Sequence, residues 1–309
     1  MKHSLKITAI LLVFFLLAQL LGIVILYQYI DAGKTTEAGK TIFKELPYGE
    51  RPQMEEETSW ISIVISIIIG TILLLILIKL GWMLVWKFWF LIAVITSLTI
   101  SLGAFLSPEI AFFLALFFSI WKIFKPNFII QNLTELFLYG GLAVIFVPLL
   151  NLWSMSLLLI LISIYDAYAV WKSKHMVTMA KSMAHAKVFA GLLIPYSLKK
   201  QKVEEQKVTI TKGKAGKAVK GKLPAGMLPM KVKTAIIGGG DIGFPLIFAG
   251  VILKEFGLAY SLIIPFFAAL GLSFLLWKGD ENKFYPAMPF ISAGCFLGLG
   301  LILLWKYLI

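Results

Sequence analysis

The sequence is poor in cysteine and in charged residues, acidic ones above all. Its 309 residues contain a single cysteine, Cys295, which excludes an internal disulfide and a cysteine-rich metal site. Only 15% of the residues are charged, whereas 60% are hydrophobic, and the mean hydropathy is +0.90. A water-soluble domain cannot bury so large an apolar fraction, so the composition predicts a membrane protein.

Positive charge exceeds negative charge, with 29 basic residues, 16 acidic residues and a formal net charge of +13. The lysines flank apolar runs or lie in one long loop, where positive charge fixes topology and meets anionic lipid. We therefore expect no nucleic-acid partner and a multi-pass protein of the cell membrane.

Long apolar runs predict an all-α bundle of about nine transmembrane helices. The predicted spans are residues 7–30, 59–78, 86–107, 109–121, 128–150, 154–171, 235–253, 257–277 and 284–305. The first run is longer than the apolar core of a signal peptide, and no small-x-small cleavage site follows it. We interpret it as a retained helix.

The lysine distribution predicts a cytoplasmic amino terminus and a carboxyl terminus outside, because cytoplasmic loops retain Lys and Arg. The outer segment 31–58 contains seven acidic residues against four basic ones, while fifteen lysines lie between Lys172 and Lys233. The chain then divides into a six-helix half (1–171), a basic cytoplasmic loop (172–234) and a three-helix half (235–309).

The basic loop has two parts. From His175 to about Leu198, the spacing of methionines and lysines indicates an amphipathic helix in the membrane interface or a cytosolic continuation of the sixth helix. From Lys199 to Lys222, a Gly/Lys-rich run predicts a flexible linker. We expect anionic lipid to contact this loop and the chain to stay uncut there. The sequence leaves a homo-oligomer open.

Three carboxylates lie well inside apolar spans, namely Glu135, Asp166 and Asp241. A carboxylate near the bilayer centre costs about 2.5–3.5 kcal/mol on insertion scales, so such residues usually face a polar interior and carry function. For a single membrane Asp, an interhelical hydrogen bond or a lysine partner is the structural alternative. For Glu135 we favour a role in packing or gating.

The two aspartates are predicted to lie at similar depth. Asp166 is six residues before Lys172, about 9 Å from the inner end of its helix, and Asp241 is eight residues after Lys233, about 12 Å into its own. Two neighbouring carboxylates share a proton, and such a pair can activate water and protonate a carbonyl oxygen without any metal or cofactor.

Glycine and proline accompany the aspartates. The glycines form the run Gly238-Gly239-Gly240-Asp241, which weakens the helix and opens the second aspartate to water or an extended peptide. With Gly243 the run also matches a dinucleotide fingerprint, but no soluble βαβ unit surrounds it. The last span opens with Pro286-Ala287-Met288-Pro289, which is either ordinary first-turn proline or an unwound segment beside a site.

Taken together, these motifs resemble the presenilin and signal peptide peptidase superfamily of GxGD intramembrane aspartyl proteases. The resemblance rests on Tyr165-Asp166, on the Gly-x-Gly-Asp run ending at Asp241, and on the Pro-Ala-Leu motif, in which Met288 replaces leucine. The amino terminus inside and the short loops are most similar to an archaeal presenilin homologue.

The resemblance implies that Asp166 and Asp241 are catalytic. It also implies that Tyr165, the three glycines and the Pro286–Pro289 segment shape the site, and that the substrate is a transmembrane helix, unwound and paired as an extended strand. Two other functions stay open from the residues alone. One is a proton- or cation-coupled transporter or leak channel using the same carboxylates, and the other is a scaffold that only binds single-span proteins.

Overall fold

The protein is a bundle of long helices with one short hairpin, and the computed structural model describes residues 5–173, 190–195, 234–279 and 285–308. The helices before the hairpin are α1 (Leu5–Gln28), α2 (Ala32–Ala38), α3 (Ser59–Leu80), α4 (Met83–Gly103), α5 (Pro108–Phe124), α6 (Phe128–Phe146) and α7 (Leu152–Tyr168). Those after it are α8 (Gly239–Phe256), α9 (Leu258–Ser261), α10 (Ile263–Lys278) and α11 (Met288–Leu308). The prediction of a helical membrane bundle is confirmed.

Seven described segments are long and apolar enough to cross a membrane. They are α1, α3, α4, α6 with the 3-10 turn after it, α7 with the turn after it, α9 with α10, and α11. The remaining two long helices are α5, with 17 residues, and α8, with 18 residues of which three are charged. The count of nine crossings and the orientation of the termini stay predictions.

Helices α1, α6 and α8 form the centre of the bundle. Helix α1 packs against α6, α8 and α10, and α8 also packs against α6 and α7. Side chains of α8 are buried almost continuously from Ile242 to Leu253. Helix α3 is different, because it packs mainly on α4 and α7 and leaves most of its apolar surface exposed. Such a surface suits lipid, whose tails are as apolar as leucine.

Two strands, β1 (Gly191–Pro195) and β2 (Thr234–Gly238), form an antiparallel pair inside the bundle. This pair is called the hairpin, although 38 residues separate its strands. Gly191 pairs with Gly238, and the register continues to Pro195 opposite Thr234. Burial alternates along β2, where Ala235 and Ile237 are buried and Ile236 is exposed, as expected for a strand.

The hairpin corrects two sequence predictions. The amphipathic helix predicted to extend to about Leu198 is wrong for residues 191–195, which form β1. The helix predicted from residue 235 begins at Gly239, because the β-branched and apolar residues before it form β2. The rest of that amphipathic helix, the flexible linker and the lysines from Lys174 to Lys233 that are predicted to contact lipid lie outside the described residues.

Candidate active site

Asp166 lies on α7 two residues before the helix ends, and its side chain is buried. Residues Ala169–Ser173 continue α7 as a π-helical turn, a widening of the helix that is common at functional sites. The aspartate is thus held on a regular helix just before the backbone changes its geometry.

The proline-containing segment before α11 holds the carboxylate of Asp166. Its Oδ2 accepts a hydrogen bond from the backbone N–H of Met288 at 3.1 Å. The carbonyl of Ala287 accepts from the N–H of Ile291, so Ala287 caps α11 and Met288 is its first residue. The first N–H groups of a helix have no partner within it, and Asp166 supplies one.

Asp241 lies in the first turn of α8, directly after the hairpin. Gly238 ends β2 and caps α8 in an extended conformation, and the N–H of Gly239 donates to the carbonyl of Ala190 at 3.1 Å, next to β1. The predicted depth of Asp241 assumes a helical rise of about 1.5 Å per residue from Lys233. The residues between them include an extended strand, so that depth calculation is wrong although the aspartate is inside the bundle.

Both aspartates line one cavity of about 610 Å³ between α3, α4, α6, α7 and α8. Its wall is largely apolar and includes Ile63, Ile67, Phe90, Val94, Leu138, Leu142, Phe146, Leu158, Ile162, Phe244 and Ile247. Polar groups are few and converge with the carboxylates, as in a typical ligand site. They include the hydroxyl-bearing side chains of Ser97, Tyr139 and Tyr165.

The cavity brings together most of the residues predicted to shape the site. Tyr165, Gly238, Gly239, Gly240 and Met288 all line it beside the two aspartates. Pro286, Ala287 and Pro289 do not belong to the lining and flank Met288 along the chain. Of these three, Ala287 caps the helix that begins with Met288.

At this cavity, two of the three glycines allow a neighbouring side chain to approach the backbone closely. A Cβ on Gly239 would lie 2.8 Å from the hydroxyl oxygen of Tyr139, and one on Gly238 would lie 3.2 Å from Oδ2 of Asp241. The corresponding position on Gly240 meets only the ring of Phe244 at an ordinary 3.6 Å. The glycine run therefore lets α6 and the second carboxylate pack against the start of α8.

Glu135 lies outside the cavity lining, in a buried polar cluster on α6 that the sequence analysis missed. It forms an ion pair with Lys122 of α5, accepts a hydrogen bond from the hydroxyl of Tyr139, and accepts another from Gln131 at 2.9 Å. The i, i+4 spacing from Gln131 to Glu135 to Tyr139 was the signal that could have revealed this cluster. Because Lys122 neutralises it, Glu135 offers no support for an ion pathway through this cavity.

Within the described ranges, no group of three or more His, Cys, Asp or Glu side chains is arranged to hold a metal ion. The cavity itself presents two carboxylates in an apolar setting with neighbouring hydroxyl groups.

Comparison with known proteins relates this geometry to a family. The model of the signal-peptide peptidase, presenilin aspartyl protease family matches residues 55–305. The chain belongs to this family. It is accordingly a multi-pass membrane protein and an intramembrane aspartic endopeptidase. The matched range contains both aspartates, the hairpin and most of α11.

Solved structures show the same fold. Two structures of a presenilin family intramembrane aspartate protease, in space groups C222 and P2, match with TM-scores of 0.57 and 0.59 at 17% and 16% sequence identity. The matches cover 93% and 95% of this chain, and 93% and 96% of those chains. No curated protein sequence matches the chain.

Proposed function

We propose that Asp166 and Asp241 are the catalytic pair with which this presenilin-family protein hydrolyses peptide bonds inside the transmembrane segments of other membrane proteins. The observation that carries the proposal is their joint position on the wall of one apolar cavity, 75 residues apart in the sequence. Carboxylates inside a membrane bundle are costly, and two at one cavity are explained by a reaction that needs both.

In the proposed reaction the pair holds one proton between its two carboxyl groups. The ionised aspartate takes a proton from water as the water oxygen attacks the scissile carbonyl carbon, while the protonated aspartate donates to the carbonyl oxygen. The tetrahedral species then collapses, the C–N bond breaks, and a proton passes to the leaving nitrogen. The products are a carboxyl and an amine terminus, and the pair returns to its starting protonation state.

The hairpin supports a substrate bound as an extended strand. Strand β2 ends at Gly238, three residues before Asp241, and the side chain of Ile236 on β2 is 51% exposed. An added strand would gain backbone hydrogen bonds there and keep its peptide bonds accessible, whereas a helix hides its own. We place this activity in the cell membrane, with a transmembrane helix of another protein as substrate.

The test is cleavage of a tagged single-span substrate by the purified protein in detergent. Asp166→Asn and Asp241→Asn keep the size of each side chain but remove its acid–base function, so each is expected to abolish cleavage. Ile164→Ala, on the exposed lipid face of the same helix as Asp166, is the matched control and should cleave at the wild-type rate. A transition-state-mimicking inhibitor should block the wild-type protein.

Cleavage that persists in either Asn variant would refute the assignment. Proteoliposomes provide the second arm of the test: gradient-driven ion flux that depends on Asp241, with no peptidase activity, would instead support the transporter or channel alternative.

A further inference from the structure

Helix α6 presents a buried amide pair to the hairpin. Gln131 and Asn132 are each only 5% exposed, an unusual placement for amide side chains in an apolar bundle. Their hydrogen bonds to β1 account for that burial, because a polar side chain in a membrane interior must be satisfied by partners within the protein.

Asn132 binds β1 as a neighbouring strand would. Its side-chain Nδ2 donates to the carbonyl of Leu193 at 2.8 Å, and its Oδ1 accepts from the N–H of Leu193 at 2.9 Å. Gln131 continues the pattern two residues along β1, where its Nε2 donates to the carbonyl of Gly191 at 3.1 Å. The two amides therefore occupy the outer edge of β1 at the spacing of alternate residues.

These bonds fix which backbone groups point outward on β2. In an antiparallel pair, opposed residues either exchange both of their hydrogen bonds or exchange none. Leu193 gives its N–H and carbonyl to Asn132, so it exchanges none with Ile236, its partner in the register. The N–H and carbonyl of Ile236 must then point away from β1, to an edge that no other described strand occupies.

A buried ion pair holds the Gln131 amide in place. Gln131 Nε2 also donates to Glu135, whose carboxylate is bound by Lys122 and by the hydroxyl of Tyr139. The same hydroxyl packs over Gly239, at the start of the helix that carries Asp241. The outer edge of β1 and the start of the helix that carries Asp241 therefore both contact the same polar cluster on α6.

We propose that Gln131 and Asn132 are positioning residues that cap the outer edge of β1, so that a substrate strand pairs only with β2 and in one register relative to Asp241. The proposal rests on the proposed function. It adds a determinant of cleavage position that lies on α6, outside the three sequence motifs.

The test uses Asn132→Leu, which keeps the side-chain size and removes both hydrogen bonds, and Asn132→Asp, which keeps only the acceptor. Leu133→Ala, next along α6 and 42% exposed, is the matched control. Cleavage products are mapped by mass spectrometry, kcat and KM are measured separately, and hydrogen exchange follows the Leu193 amide in the full-length protein.

For Asn132→Leu we expect faster exchange of the Leu193 amide, cleavage spread over neighbouring bonds, and a KM raised about tenfold with kcat changed less than about threefold. Asn132→Asp should show the same defects in cleavage and KM. Its increase in the exchange rate of the Leu193 amide should be smaller, because the Leu193 N–H keeps its acceptor. Leu133→Ala should match the wild type in all three measurements.

Faster exchange with an unchanged set of cleaved bonds and an unchanged KM would overturn the proposal while leaving the proposed function intact. Unchanged exchange would overturn it as well. A wild-type protein without Asp-dependent cleavage would instead refute the proposed function. Should Asn132→Leu fail to fold, the Asn132→Asp variant decides by the same measurements.

Discussion

The backbone N–H of Met288 donates to the carboxylate of Asp166 across 3.1 Å and so joins the proline-containing segment to the first aspartate. The bond exists because Met288 is the first residue of α11, where the N–H has no partner within the helix. The side chain at this position is therefore less important to Asp166 than the backbone N–H. This explains how methionine can stand where the family resemblance leads one to expect leucine.

Met288→Pro should separate the role of that N–H from the role of the side chain. Proline is tolerated at the first position of a helix, so α11 should form, but the donor to Asp166 is lost. A hydrogen bond to a charged group contributes about 1.5–3 kcal/mol, so we expect activity to fall by about 10- to 100-fold. Met288→Leu keeps the N–H and a similar volume and should retain most activity. Equal activity of the two variants in the cleavage assay would contradict this account.

Ile236→Pro should test the open edge of β2. The register and the contacts of Asn132 place the N–H of Ile236 on the side away from β1, so proline removes no bond within the hairpin. Edge strands accept proline when the missing N–H faces outward. We expect KM for a membrane-helix substrate to rise about tenfold while the protein stays folded, because one backbone bond to the added strand is lost. Ile236→Val should behave as the wild type, and an unaffected KM in Ile236→Pro would argue against strand addition here.

The sequence was sufficient to locate the two aspartates and the membrane bundle. Placing a carboxylate inside an apolar run costs free energy, and such residues are rare for that reason. Asp166 and Asp241 were therefore identifiable without any structure. The long apolar runs also gave the helices to within a few residues, for example α7 at Leu152–Tyr168 against a predicted 154–171. Local composition carries this information, since each helix satisfies its own backbone.

The hairpin and the cluster on α6 were not predictable in the same way. Five-residue strands separated by 38 residues leave no local periodicity that distinguishes them from the ends of apolar helices. Glu135 stands out as anomalous in the sequence, but its partner Lys122 lies on another helix and falls between the predicted spans 109–121 and 128–150. Pairings between distant residues depend on tertiary packing, which a single sequence does not display.

Removing only one partner of the Lys122–Glu135 ion pair should strongly destabilise the protein. Both side chains are almost completely buried, at 2% and 0% exposed, so Lys122→Met leaves an uncompensated carboxylate and should destabilise the protein by about 3–5 kcal/mol. Adding Glu135→Leu should recover part of that loss, because the double variant buries no charge. Unfolding in mixed detergent measures both effects. Lys34→Met, at the exposed Asp31 pair, is the control and should change stability by less than about 1 kcal/mol. If the losses of stability in the two single variants simply add in the double variant, the two side chains are not energetically coupled and the prediction is wrong.

Packing between α10 and α11 gives a prediction about stability that is independent of the site. A Cβ on Gly294 would collide with the backbone carbonyl of Phe267, and one on Gly271 would collide with that of Phe290, so the two helices touch through their backbones. Gly294→Ala should therefore destabilise the protein by about 1–3 kcal/mol through overpacking. Gly300→Ala, on the same helix with nothing within 4 Å, should be neutral or stabilising by up to about 1 kcal/mol, since alanine favours the helix. Thermal unfolding in detergent compares the two, and a Gly294→Ala variant as stable as Gly300→Ala would show that the helices are not in backbone contact at this point.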